Sequence, residues 1–529
     1  MKKNLNELTG RNFLEKIAVS TAALLIISAP GLLKERNNFI ESAGSRKIQE
    51  KKPNIIFILS DDHRYDFLSF MKKDPAAHTP EFLATPNMDR LAEEGAVIQN
   101  TFVTTSLCSP SRASLLTGLY SHRHGVIDND SPVPPEIVFF PEYLQKNGFE
   151  TVFIGKWHMG DDSDEPRKGF DKWISFKGQG VYNDPLLNID GKHVQRKGYI
   201  TDILTAYAVD YLKQKRDSGS GAAKESGQAG KPFFLYLSHK AVHAEFIPAE
   251  RHKGKYKNEK VDHPSTMANT EENFSDKPKW VKEQRNGWHG VDYMYHGELG
   301  ISFDDFYKRY CETLLALDES IGNLLETLKE TRLDRSTIVF YMGDNGFSLG
   351  EHGLIDKRHM YEESMRVPLL VYFPSLIKPK MRILELVQNI DIAPTILEIA
   401  GIKTPEYMDG KSFLPLLKGE KVEWRDSVFY EYFWERTFPH TPTMFGIRTN
   451  KFKYVTYHGI WDIDELYDIE NDPDEKNNLI NRPGHKDLIK QLNKKVYDWL
   501  ESTEGMQILL KRDIGWRADK RKPHDVNAR

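Results

Sequence analysis

Cysteine is scarce in this chain, because 529 residues contain only Cys108 and Cys311. Two cysteines cannot form the disulfide framework that stabilises many exported domains, so the fold has to depend on its hydrophobic core. Cys311 lies in an apolar helical pattern, where we expect a core residue. Cys108 lies in the polar stretch SLCSPSRASLLTG (residues 106–118). It is either a buried small side chain or a nucleophile or nucleophile precursor.

An excess of one charge is also missing, since 73 Lys and Arg residues against 77 Asp and Glu residues give a net charge of −4. This balance argues against a general nucleic-acid-binding protein, although it permits a local basic pocket for an anionic substrate. Hydrophobic residues make up 39% and charged residues 28% of the chain, as in ordinary globular proteins. The length of the chain favours two structural units.

The N-terminal apolar run, Ile17–Ala29, is too short for a comfortable membrane span. A basic segment precedes it, which is typical of an export signal; an N-terminal membrane anchor is the alternative. We therefore expect an export signal at residues 1–30, a spacer at 31–52 and a periplasmic or secreted protein. After removal of the signal we expect no stable membrane insertion.

Five apolar segments predict strands that are buried on both faces of a parallel sheet. They are NIIFILSDDH (54–63), TVFIGKWH (151–158), FFLYLSHKAVH (233–243), STIVFYMGDNG (336–346) and VPLLVYF (367–373). Amphipathic helical patterns lie between them, which predicts an α/β fold with a large, mostly parallel sheet sandwiched by helices. Four segments end in charged or metal-binding residue types. Because sites in such sheets form beyond the carboxyl ends of the strands, we expect these endings to share one site.

The pattern changes at about residue 426, from where short strands separated by Asn-Lys and Asp-Pro turns precede the helix HKDLIKQLNKKVYDWLEST (485–503). Such a pattern is typical of an antiparallel sheet. We expect a catalytic domain at residues 53–425, a smaller C-terminal α+β subdomain at 426–515 and a solvated tail at 516–529.

Two pairs of oxygen-bearing side chains follow predicted strands. Asp61 and Asp62 follow the first strand, and Asp344 and Asn345 follow a late one. Hard divalent cations such as Ca²⁺ and Mg²⁺ prefer oxygen ligands. An Asp pair alone is more often a helix cap or a turn, but the second pair favours a metal site.

Three basic residues are expected beside these carboxylates. Arg112 follows Cys108 by four residues, so the two side chains are neighbours in a helical first turn. Lys156 and Lys357 reach the same crevice if the strand assignment is right. A metal ion together with several cations would form a pocket for an oxyanion.

The stretch CSPSRASLLTG (108–118) resembles the signature of the formylglycine-dependent sulfatases, the type I sulfatases of the alkaline phosphatase superfamily. The core of that signature is Cys-x-Pro-Ser-Arg. Further stretches resemble blocks of bacterial polysaccharide sulfatases, in family order across about residues 53–500. They include NIIFILSDDH (54–63), GKWHMG (155–160), YMGDNGFSLGEHG (341–353) and IDIAPTILEIAG (390–401).

The resemblance implies an alkaline-phosphatase-like fold and a modified nucleophile. A maturation enzyme would oxidise Cys108 to Cα-formylglycine (3-oxoalanine), which is hydrated to a gem-diol. Bound Ca²⁺ would be held by Asp61, Asp62, Asp344, Asn345 and the modified residue 108. In the implied mechanism Arg112 stabilises the diol, Lys156 and Lys357 bind the sulfate oxygens, His158 hydrogen-bonds the diol and His243 protonates the leaving alcohol. We expect His63, directly after the Asp pair, to contact the substrate.

The expected function is hydrolysis of sulfate esters in a sulfated carbohydrate. The substrate could be an algal polysaccharide such as ulvan or carrageenan, or a glycosaminoglycan. The expected partners are this saccharide and the formylglycine-generating enzyme, with no nucleic acid. One alternative is a phosphate or phosphonate ester hydrolase of the same superfamily, and another is a sugar-binding relative without catalysis. Trp280 and Trp288, in a segment at about 250–300, either stack on a sugar or pack a lid.

Overall fold

The computed structural model describes residues 52–160, 163–218, 230–292 and 301–508. The predicted export signal, the spacer up to residue 51, the end of the predicted C-terminal subdomain and the tail lie outside these ranges. None of the described helices combines the length and the apolar character that crossing a membrane requires.

The strands of the described residues fall into one large sheet and three smaller ones. They are β1 (Asn54–Ser60), β2 (Ala96–Ile98), β3 (Thr101–Phe102), β4 (Glu150–Lys156), β5 (Lys172–Phe176), β6 (Leu186–Ile189), β7 (Lys192–Gln195), β8 (Phe233–Ser238), β9 (Thr337–Gly343), β10 (Ser348–Leu349), β11 (Ile355–Asp356), β12 (Leu369–Tyr372), β13 (Met381–Ile383), β14 (Val387–Gln388), β15 (Ser427–Tyr432), β16 (Thr443–Thr449), β17 (Phe452–His458) and β18 (Glu465–Asp468).

The large sheet has ten strands in the order β13-β2-β12-β9-β1-β8-β4-β5-β6-β7. Five of its nine neighbouring pairs are parallel and four are antiparallel. The five central strands from β9 to β5 run parallel, which confirms the predicted α/β fold. The antiparallel pairs flank this centre, so the whole sheet is mixed. The predicted strand at residues 367–373 is β12, which runs antiparallel to its neighbours on both sides.

Twelve α-helices accompany the sheets in the described residues. They are α1 (Pro86–Glu94), α2 (Cys108–Thr117), α3 (Ser121–His124), α4 (Phe140–Lys146), α5 (Ile200–Ser218), α6 (Glu271–Phe274), α7 (Lys279–Gln284), α8 (Phe303–Thr331), α9 (Glu362–Met365), α10 (Ile392–Ile399), α11 (Leu414–Leu417) and α12 (Lys486–Ser502). The longest is α8, whose first turn is capped by the Ser302 hydroxyl.

Alternate side chains of β1 enter two different cores, as expected for a strand covered on both faces. Phe57 lies in one core with Leu115 of α2. Ile56 lies in the other core with Leu317 of α8. Cys311 of α8 is fully buried in this second core, which confirms its predicted structural position. The continuous apolar run of β1 therefore reflects burial on two sides.

A four-stranded antiparallel sheet, β15-β16-β17-β18, follows the large sheet in the chain, and α12 packs against it. This confirms the predicted antiparallel sheet and its following helix. Tyr454 and Ile447 of the small sheet share a core with Trp499 of α12. Val428 and Tyr430 instead join the core of the large sheet. The boundary at residue 426 remains a prediction, one residue before β15.

Candidate active site

The four predicted strand endings lie side by side, because β9, β1, β8 and β4 are consecutive neighbours in the large sheet. The register places Ser60 opposite Gly343, and Leu59 and Gly155 both opposite Ser238. The residues after these positions therefore leave the sheet at one edge. The side chains brought together there are Asp61, Asp62, Cys108, Arg112, Lys156, His158, His243, Asp344, Asn345 and Lys357.

Three buried carboxylates form the centre of the site. Asp61, Asp62 and Asp344 each offer one oxygen, and these oxygens lie within 4.8 Å of one another. The Asn345 side-chain amide donates to Asp62 Oδ1 at 2.7 Å, and the Asp62 backbone amide donates to Asp344 Oδ1 at 3.0 Å. Asp62 Oδ2 and Asn345 Oδ1 are buried without a hydrogen-bond partner among the described residues. Two oxygens thus remain available to a ligand.

Burial and mutual repulsion raise the pKa values of two of these carboxylates. Burial, together with the charges of Asp61 and Asp344, raises the pKa of Asp62 to about 7 against the opposing effect of Lys357. Burial and the Asp61 charge also raise the pKa of Asp344. For Asp61, burial disfavours ionisation, but the neighbouring basic side chains together outweigh burial and hold the pKa well below the usual range. These side chains are Lys156, His243, Arg112 and Lys357. A hard divalent cation would relieve this repulsion, and the all-oxygen ligand set fits one.

Residue 108 faces this cluster from the start of α2. The helix begins at Cys108 after the extended residue Leu107, and it ends at Gly118, whose φ of 70° suits glycine. Cys108 Sγ lies 3.4 Å from Asp61 Oδ1 and 3.2 Å from Lys357 Nζ. Burial and the Asp61 charge raise the pKa of the thiol far above its usual range. An unmodified Cys108 is therefore a poor nucleophile.

Arg112 connects three of the strand endings. Its Nε donates to Asp344 Oδ2 at 2.8 Å, and its Nη1 donates to the Lys156 carbonyl and to Ser238 Oγ, each at 2.7 Å. The side chain is almost fully buried. Arg112 therefore links Asp344, which follows β9, to the ends of β4 and β8.

The two predicted lysines each contact a different aspartate. Lys156 Nζ donates to Asp61 and to Gln179. Lys357 Nζ donates to Asp62 and lies near Cys108. Both side chains are buried. The cluster therefore presents positive groups around residue 108, as a pocket for an oxyanion needs.

A cavity of about 310 Å³ opens beside residue 108, and its wall includes His158, His243 and Lys357. The Ser109 hydroxyl donates to the His158 carbonyl, which holds His158 next to α2. His243 Nε2 lies 3.9 Å from Asp62 Oδ2. Burial and the charge of Lys156 lower the pKa of His243 well below its usual value, so the imidazole is neutral in the absence of an anion.

Several residues at this cavity have left-handed backbone conformations. The φ angles are 53° at Asp62, 48° at His158, 80° at Asp356 and 86° at Arg358. Such conformations cost conformational free energy in residues other than glycine, and residues that adopt them are concentrated at functional sites.

His63 does not lie where the sequence predicted. Its side chain is fully buried, Nδ1 is 2.5 Å from the Tyr341 hydroxyl, and Nε2 is 3.0 Å from the Phe67 carbonyl. Because both ring nitrogens contact protein groups, His63 has no free polar atom for a substrate. The prediction that His63 contacts the substrate is wrong. The place of His63 directly after the Asp pair in the sequence did not reveal the direction of its side chain.

The sequence analysis did not identify several residues that line the cavity. Gln179 accepts a hydrogen bond from Lys156, and the flanking Gly178 and Gly180 have φ angles of 57° and 64°. The sequence Gly-Gln-Gly was the available signal, since two glycines permit a sharp turn. The other side chains that were missed are Asn129, Asp130, Ala244, His289, Phe347, Asp356, Arg358, Thr437 and Phe438.

Comparisons with known proteins show the family to which the chain belongs. The sequence profile of the Sulfatase family matches residues 53–402, and the profile "N-sulphoglucosamine sulphohydrolase, C-terminal" matches residues 350–502. The chain belongs to the sulfatase family. As a sulfatase it is a sulfuric ester hydrolase. The family membership that the stretch at residues 108–118 predicted is confirmed.

The alignments with related proteins span most of the chain. The N-acetylglucosamine-6-O-sulfatase of Bacteroides thetaiotaomicron is 33% identical, over 85% of this chain and 86% of the relative. The ulvan-active sulfatase of Formosa agariphila is 27% identical, over 85% of this chain and 80% of the relative. A solved structure described as a complex with its substrate D-glucosamine-2-N,6-O-disulfate is 31% identical, with a TM-score of 0.74, over 87% of this chain and 99% of the other.

Proposed function

We propose that this sulfatase removes sulfate from a sulfated saccharide, with a 6-O-sulfated glucosamine unit as the favoured substrate. The observation that carries the proposal is the convergence of three carboxylates, two lysines and two histidines around residue 108. The relatives at 33% and 31% identity have names that mention a sulfated glucosamine or N-acetylglucosamine. The relative whose name mentions ulvan is less similar, at 27% identity. We therefore favour the glucosamine unit over ulvan.

The nucleophile in this proposal is residue 108 after conversion to Cα-formylglycine. Once hydrated, residue 108 supplies one hydroxyl that attacks sulfur and a second hydroxyl that lets sulfate leave as the aldehyde is restored. The raised pKa of the Cys108 thiol supports a converted residue, because the buried thiol is a poor nucleophile. The partner that the site requires is therefore a formylglycine-generating enzyme.

We further propose that Asp61, Asp62, Asp344 and Asn345 hold a Ca²⁺ ion together with residue 108. Bound there, Ca²⁺ would supply positive charge for the sulfate group and for the nucleophile. The two buried oxygens without hydrogen-bond partners support this assignment. The raised pKa values of Asp62 and Asp344 support it too, since a cation favours the charged carboxylates.

Lys156 and Lys357 bind the sulfate oxygens in this proposal. Both ammonium groups already lie at the carboxylate cluster, so little rearrangement is needed when an anion arrives. Preorganised cations stabilise the charge that develops on the transferring group. Arg112 stabilises the site indirectly, by holding Asp344 in place.

His243 donates a proton to the departing alcohol oxygen, and His158 accepts a proton from residue 108. The low pKa of His243 comes from burial and the charge of Lys156, with Lys357 and Lys240 adding to it. A bound sulfate ester brings negative charge that offsets these lysines, so the pKa of His243 rises when the substrate is present. His243 can then hold the proton that the leaving group needs.

The proposal is tested by sulfate release from a panel of defined saccharides. The panel contains 6-O-sulfated glucosamine, N-sulfated glucosamine, and oligosaccharides of ulvan and carrageenan, each with matured enzyme and with Cys108→Ala. We expect release from 6-O-sulfated glucosamine by the matured enzyme and none by Cys108→Ala. Faster turnover of aryl phosphate or phosphonate than of every sulfate ester would favour the ester-hydrolase alternative. Saccharide binding without any turnover would favour a non-catalytic relative.

Export to the periplasm or the medium is a separate proposal, based on the apolar run Ile17–Ala29. Mass spectrometry of the mature N-terminus in the native host tests it. Cleavage near residue 30 supports an export signal, and an intact N-terminus in the membrane fraction supports the anchor.

A further inference from the structure

One wall of the cavity is built from three segments that are distant in sequence. Trp288 and His289 come from the segment after α7, Asp356 and Arg358 flank Lys357, and Phe438 lies in the connection between β15 and β16. Lys357, one of the two lysines proposed to bind sulfate, lies between Asp356 and Arg358 in this wall, whereas Lys156 lies at the end of β4. The other side chains of the wall are not among the groups proposed to bind sulfate, so they can contact another part of a bound substrate.

The segment that carries Trp288 is fixed to the loop of the catalytic Lys357. The Ile355 backbone amide donates to the His289 carbonyl at 2.8 Å, and the Val291 amide donates to the Gly353 carbonyl at 3.1 Å. His289 Nε2 lies 2.7 Å from Asp356 Oδ2. Trp288 therefore sits in a segment whose position is set by the same loop that places Lys357.

Aromatic contacts stiffen the rest of this wall. The His289 and Phe438 rings stack with centroids 4.5 Å apart. Arg358 also packs on the Phe438 ring, with its Cζ 3.9 Å from the ring centroid. The Arg358 Nε donates a hydrogen bond to Glu435 Oε1 at 2.8 Å. The wall is thus preformed, which lowers the entropic cost of binding a ligand against it.

Exposure distinguishes the two tryptophans that the sequence could not separate. Trp280 is 5% exposed and packs edge-on against Tyr457, so it is a packing residue. Trp288 is 39% exposed and lines the cavity. An exposed indole in a cavity that polar side chains such as Asn129 and Asp130 also line is suited to the apolar face of a sugar ring, whose hydroxyls need polar partners.

We propose that Trp288 is the platform against which the sugar ring of the substrate packs, so that it determines the affinity for saccharide without binding the sulfate group. This inference rests on the proposed function and identifies the residue that selects the saccharide. Trp288 contributes to binding, while residue 108, the lysines and the histidines carry out the reaction.

The test compares Trp288→Ala and Trp288→Phe with the matched control Trp461→Ala. Trp461 is fully exposed in the turn between β17 and β18 and is absent from the cavity wall. The readouts are kcat and KM for 6-O-sulfated glucosamine and the inhibition constant of inorganic sulfate, which probes the sulfate-binding groups alone.

We expect Trp288→Ala to raise KM for the saccharide by about tenfold, the size of one aromatic contact. The inhibition constant of inorganic sulfate should stay unchanged, Trp288→Phe should recover most of the affinity, and Trp461→Ala should match the wild type. An unchanged KM in Trp288→Ala would overturn the proposal that Trp288 packs against the sugar ring. So would an equal weakening of sulfate inhibition, because the whole site would then be disturbed. Failure of the wild type to release sulfate from any saccharide would instead overturn the proposed function.

Discussion

Lys357 Nζ lies 3.2 Å from Cys108 Sγ and also donates a hydrogen bond to Asp62. One ammonium group thus touches both the proposed nucleophile position and a proposed metal ligand. β10 and β11 form a two-stranded hairpin, and Lys357 follows β11 directly. The hairpin therefore determines how this charge is placed relative to residue 108.

Removal of this charge tests its role in sulfate binding. We expect Lys357→Ala to lower kcat/KM for a sulfate ester by about 100- to 1,000-fold, because a preorganised positive group is lost from the transition state. Steady-state kinetics of sulfate release measures the effect. The exposed Lys378 offers a control, and Lys378→Ala should leave kcat/KM unchanged. A fall of less than threefold in Lys357→Ala would show that Lys357 does not bind the reacting group.

A serine at position 108 tests the need for a second hydroxyl. Cys108→Ser, produced with a maturation enzyme that acts on cysteine, keeps a hydroxyl for attack but has none that can expel the sulfate. We expect at most one turnover for each active site, with sulfate covalently retained on residue 108. A burst measurement and the mass of the tryptic peptide Leu91–Arg112 check this. Sustained turnover by this variant would contradict the role of the gem-diol.

Calcium should stabilise the folded protein through the carboxylate cluster. A ligand at 100 times its dissociation constant adds about 2.7 kcal/mol to the free energy of unfolding, so we expect Tm to rise by several degrees after calcium is returned to chelated protein. In Asp62→Asn the rise should be lost. The metal-free variant should be at least as stable as the metal-free wild type, because the repulsion that raises the pKa of Asp62 is removed. Equal calcium-induced shifts in both proteins would place the cation elsewhere.

A neighbouring pair of glutamates should respond to pH in opposite directions. Burial, with the charges of Glu351 and Glu475, raises the pKa of Glu363 to about 8. Its contribution to stability is therefore complete at low pH and is lost as the pH rises through about 8. We expect Glu363→Gln to increase the free energy of unfolding by about 2 kcal/mol at pH 9 and to have little effect at pH 4. Denaturant unfolding at both pH values measures this difference.

Glu362 is the matched control, because its pKa shifts the other way. Burial opposes its ionisation, but Lys453 and Arg448 outweigh burial and hold the pKa well below the usual value. The stability that Glu362 contributes is present above the pKa of the unfolded chain and is lost as the pH falls. Glu362→Gln should therefore destabilise the protein at pH 7. If both variants change stability in the same direction at high pH, the assignment of the two charges is wrong.

The sequence predicted the parallel centre of the sheet and the convergence of the four strand endings, because both depend on local patterns. Continuous apolar runs such as that of β1 mark strands buried on two faces, and the residue types after each run mark the site edge. The antiparallel flanks of the sheet were harder to predict, since β12 has the same apolar pattern as the parallel strands of the centre but runs the other way. Strand direction depends on connections that a pattern of hydrophobicity does not encode.

The cavity wall could not be predicted for a similar reason. Trp288 and Phe438 are 150 residues apart in the chain, and only packing brings them to the same cavity. His63 shows the converse error: it is adjacent in sequence to two site carboxylates, yet its ring turns inwards to Tyr341. The side chains of consecutive residues after a strand point in different directions. Proximity in sequence is therefore a weak guide to contact with a substrate.

We propose that residue 108 acts in its converted form at a cation-binding cluster. The most direct measurement combines two readouts on the same preparations: the fraction of the tryptic peptide Leu91–Arg112 that carries an aldehyde in place of the thiol, and the rate of sulfate release. Preparations made with different amounts of maturation enzyme give a series. We expect the rate of sulfate release to be proportional to the converted fraction and to extrapolate to zero for the thiol form. Full sulfatase activity in a preparation whose residue 108 is entirely cysteine would contradict it.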